Sequence, residues 1–264
     1  MIKYNTPQEL FTAICDKIRD KTNSNELINH QDIPDKINKL IGNDTKLFIN
    51  SAIQGENTIR YSFNNTTITK ISSRIFATTN LTAIDLPECT SIESNAFENC
   101  TSLTTVNLPK CTSIGDYAFE GCTNLTTIDL PKCATITYEA FRNCTSLTTV
   151  NIPECTTIKN EAFDDCTSLT TVNLPKCTYI GGYAFEGCTN LTTLILSSNQ
   201  MANVSDSTDG VTFYNTRIAN GTGYIYVPDN LVDSYKTATN WSTYANQIKP
   251  LSELPSELKE EYNL

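Results

Sequence analysis

LTTVNLPKCTSIGDYAFEGCTN, residues 103–124, recurs with small changes from Leu81, Leu103, Leu125, Leu147 and Leu169, and begins a sixth time at Leu191. The 22-residue interval never slips. A fixed period of this length is the signature of a stacked array, in which each copy forms one coil and touches only its neighbours. One copy alone buries too few apolar side chains to offset the entropy of ordering its own chain, so the copies are obligate neighbours.

Within a copy, Leu103, Val106 and Leu108 follow an L-x-x-L-x-L spacing. The alternation of a strand puts Val106 and Leu108 on one side and Asn107 on the other. Pro109 lacks a backbone donor and is tolerated only where the ladder stops, so the strand is short. Ile114 is expected to begin a second extended stretch on another wall. Ala118, Phe119 and Cys122 read as one compact helical or 3-10 turn that closes the coil.

The stretch LPKCTSIGDYAFEGCTNL, residues 108–125, resembles the BspA-like, bacterial surface-antigen type of leucine-rich repeat, through its LP, IG..AF and C-T-[SN]-L elements. The resemblance covers residues 81–196. It implies a right-handed leucine-rich-repeat solenoid, mostly β with short helical or 3-10 turns, flanked by a small N-terminal helical element and a C-terminal cap. The chain departs from the pattern by placing Cys at Cys111 and its equivalents, where many members carry a small or aliphatic residue.

The ends of a stack expose apolar faces and need degenerate, more polar units. Residues 46–80 read as such a unit at the front, with Ile59, Tyr61 and Phe63 alternating as in a strand. Residues 197–264 form the back: an insertion at 197–209, a strand-bearing unit at 213–228, and a helical lid carrying Leu231, Val232 and Tyr235 on one face. The lid resembles segments that close such arrays, which gives Trp241 a packing role. Residues 1–42 are a separate element. Thr6, Pro7 and Glu9 supply a helix start, followed by Leu10, Phe11, Ile14 and Ile18 on one face. This leader resembles N-terminal segments of Firmicutes and phage tail-associated proteins, which implies attachment to a virion assembly or homo-oligomerisation. A helical cap folded on the first coil is the alternative.

The net charge is −10, with acidic residues spread along the chain. Such a field repels phosphate backbones and anionic lipid, so no nucleic-acid partner is expected. No stretch approaches the roughly 20 apolar residues that cross a bilayer, and the start lacks the regions of an export signal, so no membrane insertion is expected. His30 is the one histidine and lies outside the repeats. Without an imidazole among the repeats, a G-x-S-x-G elbow or a phosphate-binding loop, no catalytic residue and no cofactor are expected.

Ten of the eleven cysteines fall in two columns, one through Cys111 and one through Cys122, with no metal-ligand spacing. Both columns are expected to face inward as free thiols. On the outer strand face two polar rows emerge. One holds Thr105, Thr127, Thr149 and Thr171; the other holds Asn107, Asp129, Asn151 and Asn173. Rigid, evenly spaced hydroxyls and amides suit a protein edge or a cell-surface glycan at little ordering cost. A third row, Glu98, Glu120, Arg142, Asp164 and Glu186, reads as a solvated edge, with a cation site as the sharper alternative. These rows predict a non-enzymatic binding or adhesion protein of a virion or cell surface, against the alternatives of a passive decoration module docked through its leader and of a cytoplasmic location.

Overall fold

The computed structural model describes residues 47–50, 59–63, 69–74, 76–78, 81–205 and 212–264. The chain winds as a parallel β-solenoid of about eight turns. Each full coil contributes a three- to five-residue strand to one wall, such as Thr127–Asp129 and Thr149–Asn151, and a two-residue strand to another, such as Thr135–Ile136 and Thr157–Ile158. Equivalent residues pair one coil apart: Thr149 with Thr127, Val150 with Ile128, Asn151 with Asp129. The leucine-rich-repeat solenoid expected from the 22-residue period is therefore the architecture observed.

The side chains that alternate inward form one continuous core. Leu125, Ile128, Leu130, Ile136, Ala140 and Phe141 are all at 0% exposure, as are most of their equivalents in neighbouring coils. Phe97, Phe119, Phe141, Phe163 and Phe185 stack face to face, with centroids 5.1 to 5.5 Å apart and planes within 3° to 10°. The pile continues through Phe213 to Trp241, where the ring tilts by 38° and the column ends.

The third side of each coil differs from the expected helical turn. Residues 116–121 form a run of tight turns in which Tyr117 and Gly121 take φ values of 59° and 69°. Glu139, Glu161 and Tyr183 repeat the first left-handed position, and Asn143, Asp165 and Gly187 the second. The reason lies in where the amides go. Phe119 N–H donates to Ala140 of the following coil at 2.9 Å, and Phe141 N–H to Ala162 at 2.9 Å. A helix would spend those donors within its own coil, whereas left-handed residues turn the chain so that they bind the next one. A left-handed non-glycine residue costs roughly 1–2 kcal/mol, so the ladder offsets that strain in every coil. Gly187 meets a further demand: a Cβ there would run into Oδ1 of Asp165.

The ten cysteines of the two columns are buried and free. Their thiols also act as donors. Cys122, Cys144 and Cys166 bond the carbonyls of Phe97, Phe119 and Phe141 in the preceding coil at 3.2 Å, while Cys111, Cys133 and Cys155 reach the carbonyl two residues on. A cysteine at these positions fills the space of a small apolar residue and adds a weak S–H donor that an aliphatic residue lacks.

At the front, Leu47–Asn50 pairs antiparallel with Ile59–Phe63, which runs parallel to Leu81–Asp85 with a register shift at Ile59 and Arg60. Residues 1–46, including Leu10, Phe11, Ile14 and Ile18 of the expected attachment helix, lie outside the described residues. At the back, helix α1 (Val232–Thr237) buries Tyr235, and Trp241 donates its indole N–H to the carbonyl of Ala202 at 2.8 Å. Tyr244 meets Phe213 edge-on at 5.3 Å and closes the aromatic pile. Helix α2 (Ser256–Tyr262) lies elsewhere: Leu258 and Tyr262 pack with Leu254 on Ile195 and Tyr226, forming a small second core.

Candidate functional site

Thr105, Thr127 and Thr149 stand exposed on the outer strand face, and Thr171 is half-buried. Among the described residues, none of these four hydroxyls has a hydrogen-bond partner within the chain. The contrast with the adjoining column is sharp. Thr104, Thr148 and Thr192 each donate a hydroxyl to the backbone carbonyl one coil back, at 2.9, 3.1 and 3.2 Å. Neighbouring threonine columns thus divide the work: one laces the coils together, and the other leaves its hydroxyls to solvent.

The Asn and Asp row is not a set of free groups. Asn107 Nδ2 donates to Oδ1 of Asp85 at 2.8 Å, and Asn151 Nδ2 to Oδ1 of Asp129 at 2.8 Å. The alternation of amide and carboxylate has a physical cause, since identical carboxylates one coil apart would repel at the spacing of a sheet. Asn173 breaks the alternation. It is half-buried, and its Oδ1 is enclosed without a hydrogen-bond partner.

The two rows end differently. The threonine row continues through Thr193 to Tyr224, which is 41% exposed and carries Lys249 Nζ 5.9 Å from its ring centroid. The Asn row continues to Ile195 and Tyr226, which α2 covers. The polar shelf thus has a helical wall beside its last rung. Sequence spacing located the shelf but not the wall, because α2 joins it from far downstream and outside the repeat period.

At one member, Asp164, the charged row departs from the solvated-edge expectation. Asp164 is 7% exposed, and Glu139, at the left-handed position of its coil, is 3% exposed. Arg142 Nη1 donates to Oε2 of Glu139 at 2.6 Å, and its Nε stands 3.2 Å from Oδ2 of Asp164. Burial, reinforced by the like charges of Asp165 and Glu186, raises the Asp164 carboxyl to about 7, although Arg142 pulls the other way. Burial likewise raises Glu120 and Glu186. Glu139 and Arg142 belong to different columns of the repeat that meet only across the turn, so no single column reveals the cluster.

Several thiols of the cysteine columns are held in their unreactive form. Burial pushes Cys111 and Cys155 up to about 12, and Cys122 and Cys166 well above the usual thiol range. Nucleophilic chemistry needs the thiolate, which these surroundings disfavour. Among the described residues, no helix is long and apolar enough to cross a membrane.

A family model of the BspA type leucine rich repeat region matches the chain in six copies, over residues 16–135, 69–192 and 112–231. Among solved structures, a leucine-rich repeat protein from Bacteroides ovatus is 22% identical with a TM-score of 0.55, covering 69% of this chain and 45% of its own. A leucine rich cell surface protein from Faecalibacterium prausnitzii is 27% identical with a TM-score of 0.40, covering 60% of this chain and 54% of its own. The chain thus spans about half the length of each of these two proteins. A search of curated proteins found no match.

Proposed function

The chain belongs to the BspA-type leucine-rich repeat family, and from that premise we propose that it is a binding scaffold that holds a surface glycan along its outer strand wall. The row of partner-free hydroxyls on Thr105, Thr127, Thr149 and Thr171 carries this reading. They are held at the spacing of a parallel sheet on a backbone laced coil to coil, so a ligand meets pre-ordered donors and acceptors and loses little of its affinity to ordering the protein. Tyr224 at the end of the row adds an aromatic face of the kind that packs against the apolar side of a sugar ring. The net charge of −10 disfavours polyanions, so the expected ligands are neutral glycans.

The test is a panel of immobilised neutral and acidic polysaccharides probed with the whole chain and with the Thr127→Val, Thr149→Val double variant. Binding of a neutral glycan that falls about tenfold or more in the variant, with the thermal midpoint unchanged, supports the proposal. Equal binding by both proteins, or capture by no glycan at all, overturns it and leaves a protein edge or a passive decoration module as the use of the shelf.

A further inference from the structure

We propose that the solenoid carries a hinge between the coil that starts at Leu103 and the coil that starts at Leu125, opening on both strand walls and pivoting on the turn side. The hinge follows from where the backbone hydrogen bonds stop and does not depend on what the shelf binds.

Sheets on both walls end at this one interface. Thr105–Asn107 closes a four-stranded sheet and Ser113–Ile114 a three-stranded one, and the next coil begins new sheets with Thr127–Asp129 and Thr135–Ile136. The flanking amides stop with them. At the following interface Thr148 N–H donates to Thr126, Leu130 to Asn151, Thr156 to Ala134 and Lys159 to Ile136, each at 2.9 Å. At the preceding interface Thr104, Leu86, Thr112 and Gly115 make the same bonds at 2.8 to 3.1 Å. Between the two, the equivalent amides of Thr126, Leu108, Ala134 and Thr137 donate to no backbone carbonyl among the described residues. Side chains supply what remains: Asn124 Nδ2 reaches the Thr101 carbonyl at 2.7 Å, and the hydroxyls of Thr126 and Thr137 reach Thr104 and Ile114 at 3.5 and 3.0 Å. The interface before Leu169 is a useful contrast. Its first wall is also unpaired, but Thr157–Ile158 and Tyr179–Ile180 hold its second wall together.

The turn side crosses the proposed hinge without a break. The amides of Tyr117, Phe119 and Gly121 donate to Tyr138, Ala140 and Arg142 at 3.0, 2.9 and 2.8 Å, and the Cys144 thiol donates to Phe119 at 3.2 Å. Phe119 and Phe141 stay stacked across it. Two coils bonded along one side and loosely tied along the other two have one soft direction, rotation about the bonded side. Interfaces between neighbours hold an array together, so the interface with the fewest bonds opens first.

Ala134 marks the hinge in the sequence. Its equivalents Thr112, Thr156 and Thr178 each donate a hydroxyl one coil back, at 3.2, 3.1 and 3.2 Å, and alanine has none to give. On the other wall Asn107 turns its amide to Asp85, while Asp129 receives that of Asn151. The side chains thus tie each coil to the neighbour away from the hinge. The hinge crosses the shelf between Thr105 and Thr127, so its opening sets the separation of those two hydroxyls.

Hydrogen exchange of the whole chain, resolved by residue with NMR, tests the hinge. Leu108 and Thr126 on one wall, and Ala134 and Thr137 on the other, should exchange about tenfold or more faster than Leu130, Thr148, Thr156 and Lys159. Phe119 and Gly121 should stay as protected as Phe141 and Asn143. Leu108 is at 0% exposure, so its amide meets water only when the wall opens. Ala134→Thr restores the hydroxyl that neighbouring coils carry and should slow exchange at Leu108 about threefold or more, although the substitution lies on the other wall. Unchanged exchange at Leu108 in that variant would mean missing bonds without a hinge, and overturns the proposal. Equal protection at the two interfaces overturns it as well, as does equal loss at Phe119 and Gly121, which would mean that whole coils part instead of pivoting.

Discussion

Phe119 and Phe141 lie with ring centroids 5.4 Å apart and planes within 6° of parallel, although they belong to different copies of the repeat. Each ring is at 0% exposure and rests on a phenylalanine of the coil before and the coil after. Removing one therefore opens a gap between three coils.

Phe141→Ala is expected to cost roughly 3–5 kcal/mol in urea denaturation. The loss should appear as weakened amide protection in the coils on either side, because stability in an array is shared through interfaces. A shift of under about 1 kcal/mol would mean that the rings do not bear on one another.

The division of labour between threonine columns is open to a paired measurement. Replacing Thr104, Thr148 and Thr192 together by Val removes three inter-coil hydrogen bonds and should cost roughly 1–3 kcal/mol. Replacing Thr105, Thr127 and Thr149 together should leave stability within about 0.5 kcal/mol, since those hydroxyls bond nothing in the chain. Equal losses would show that the exposed row is structural after all.

Asp164 makes a contribution to the pH dependence of stability whose sign follows from its raised pKa. Its folded pKa, about 7, lies above the unfolded value of about 3.9. Between those values the folded state binds more protons, so stability falls as pH rises from about 4 to 7 and then levels off. Glu120 and Glu186, also raised, act in the same direction. Urea midpoints at pH 5 and pH 7.5 should differ accordingly, and Asp164→Asn should flatten the difference. An unchanged slope in the variant would remove Asp164 from the explanation.

Thiol chemistry offers a direct probe of the columns. The ten cysteines from Cys89 to Cys188 are buried, so iodoacetamide at pH 8 should leave them unmodified in native protein and label all ten in denaturant, as read by peptide mass. Labelling of any of them under native conditions faster than global unfolding would show that its coil opens locally.

The repeat period made the strands, the inward phenylalanines and the cysteine columns legible in the chain itself, because duplicated residues such as Phe119 and Phe141 must occupy equivalent places. The turn side resisted the same logic. Tyr117, Glu139 and Glu161 sit at a left-handed position that in isolation calls for glycine or asparagine. Only the backbone bonds to the next coil explain why larger residues are tolerated there. The burial of Asp164 was equally hidden, because an acidic residue on a turn reads as solvated. The pairing of Asn107 with Asp85, by contrast, was written in the alternation of the two residue types, a signal available from the row itself.

The amides that each coil hands to the next have an evolutionary corollary. Because an internal coil gives on one side what it receives on the other, a segment one repeat long is interchangeable with its neighbours, and unequal recombination within the gene adds or deletes one without leaving a dangling bond. The reach of the molecule is then a heritable length, adjustable in steps of a single coil, while the aromatic plug at Trp241 and Tyr244 travels unaltered at its end.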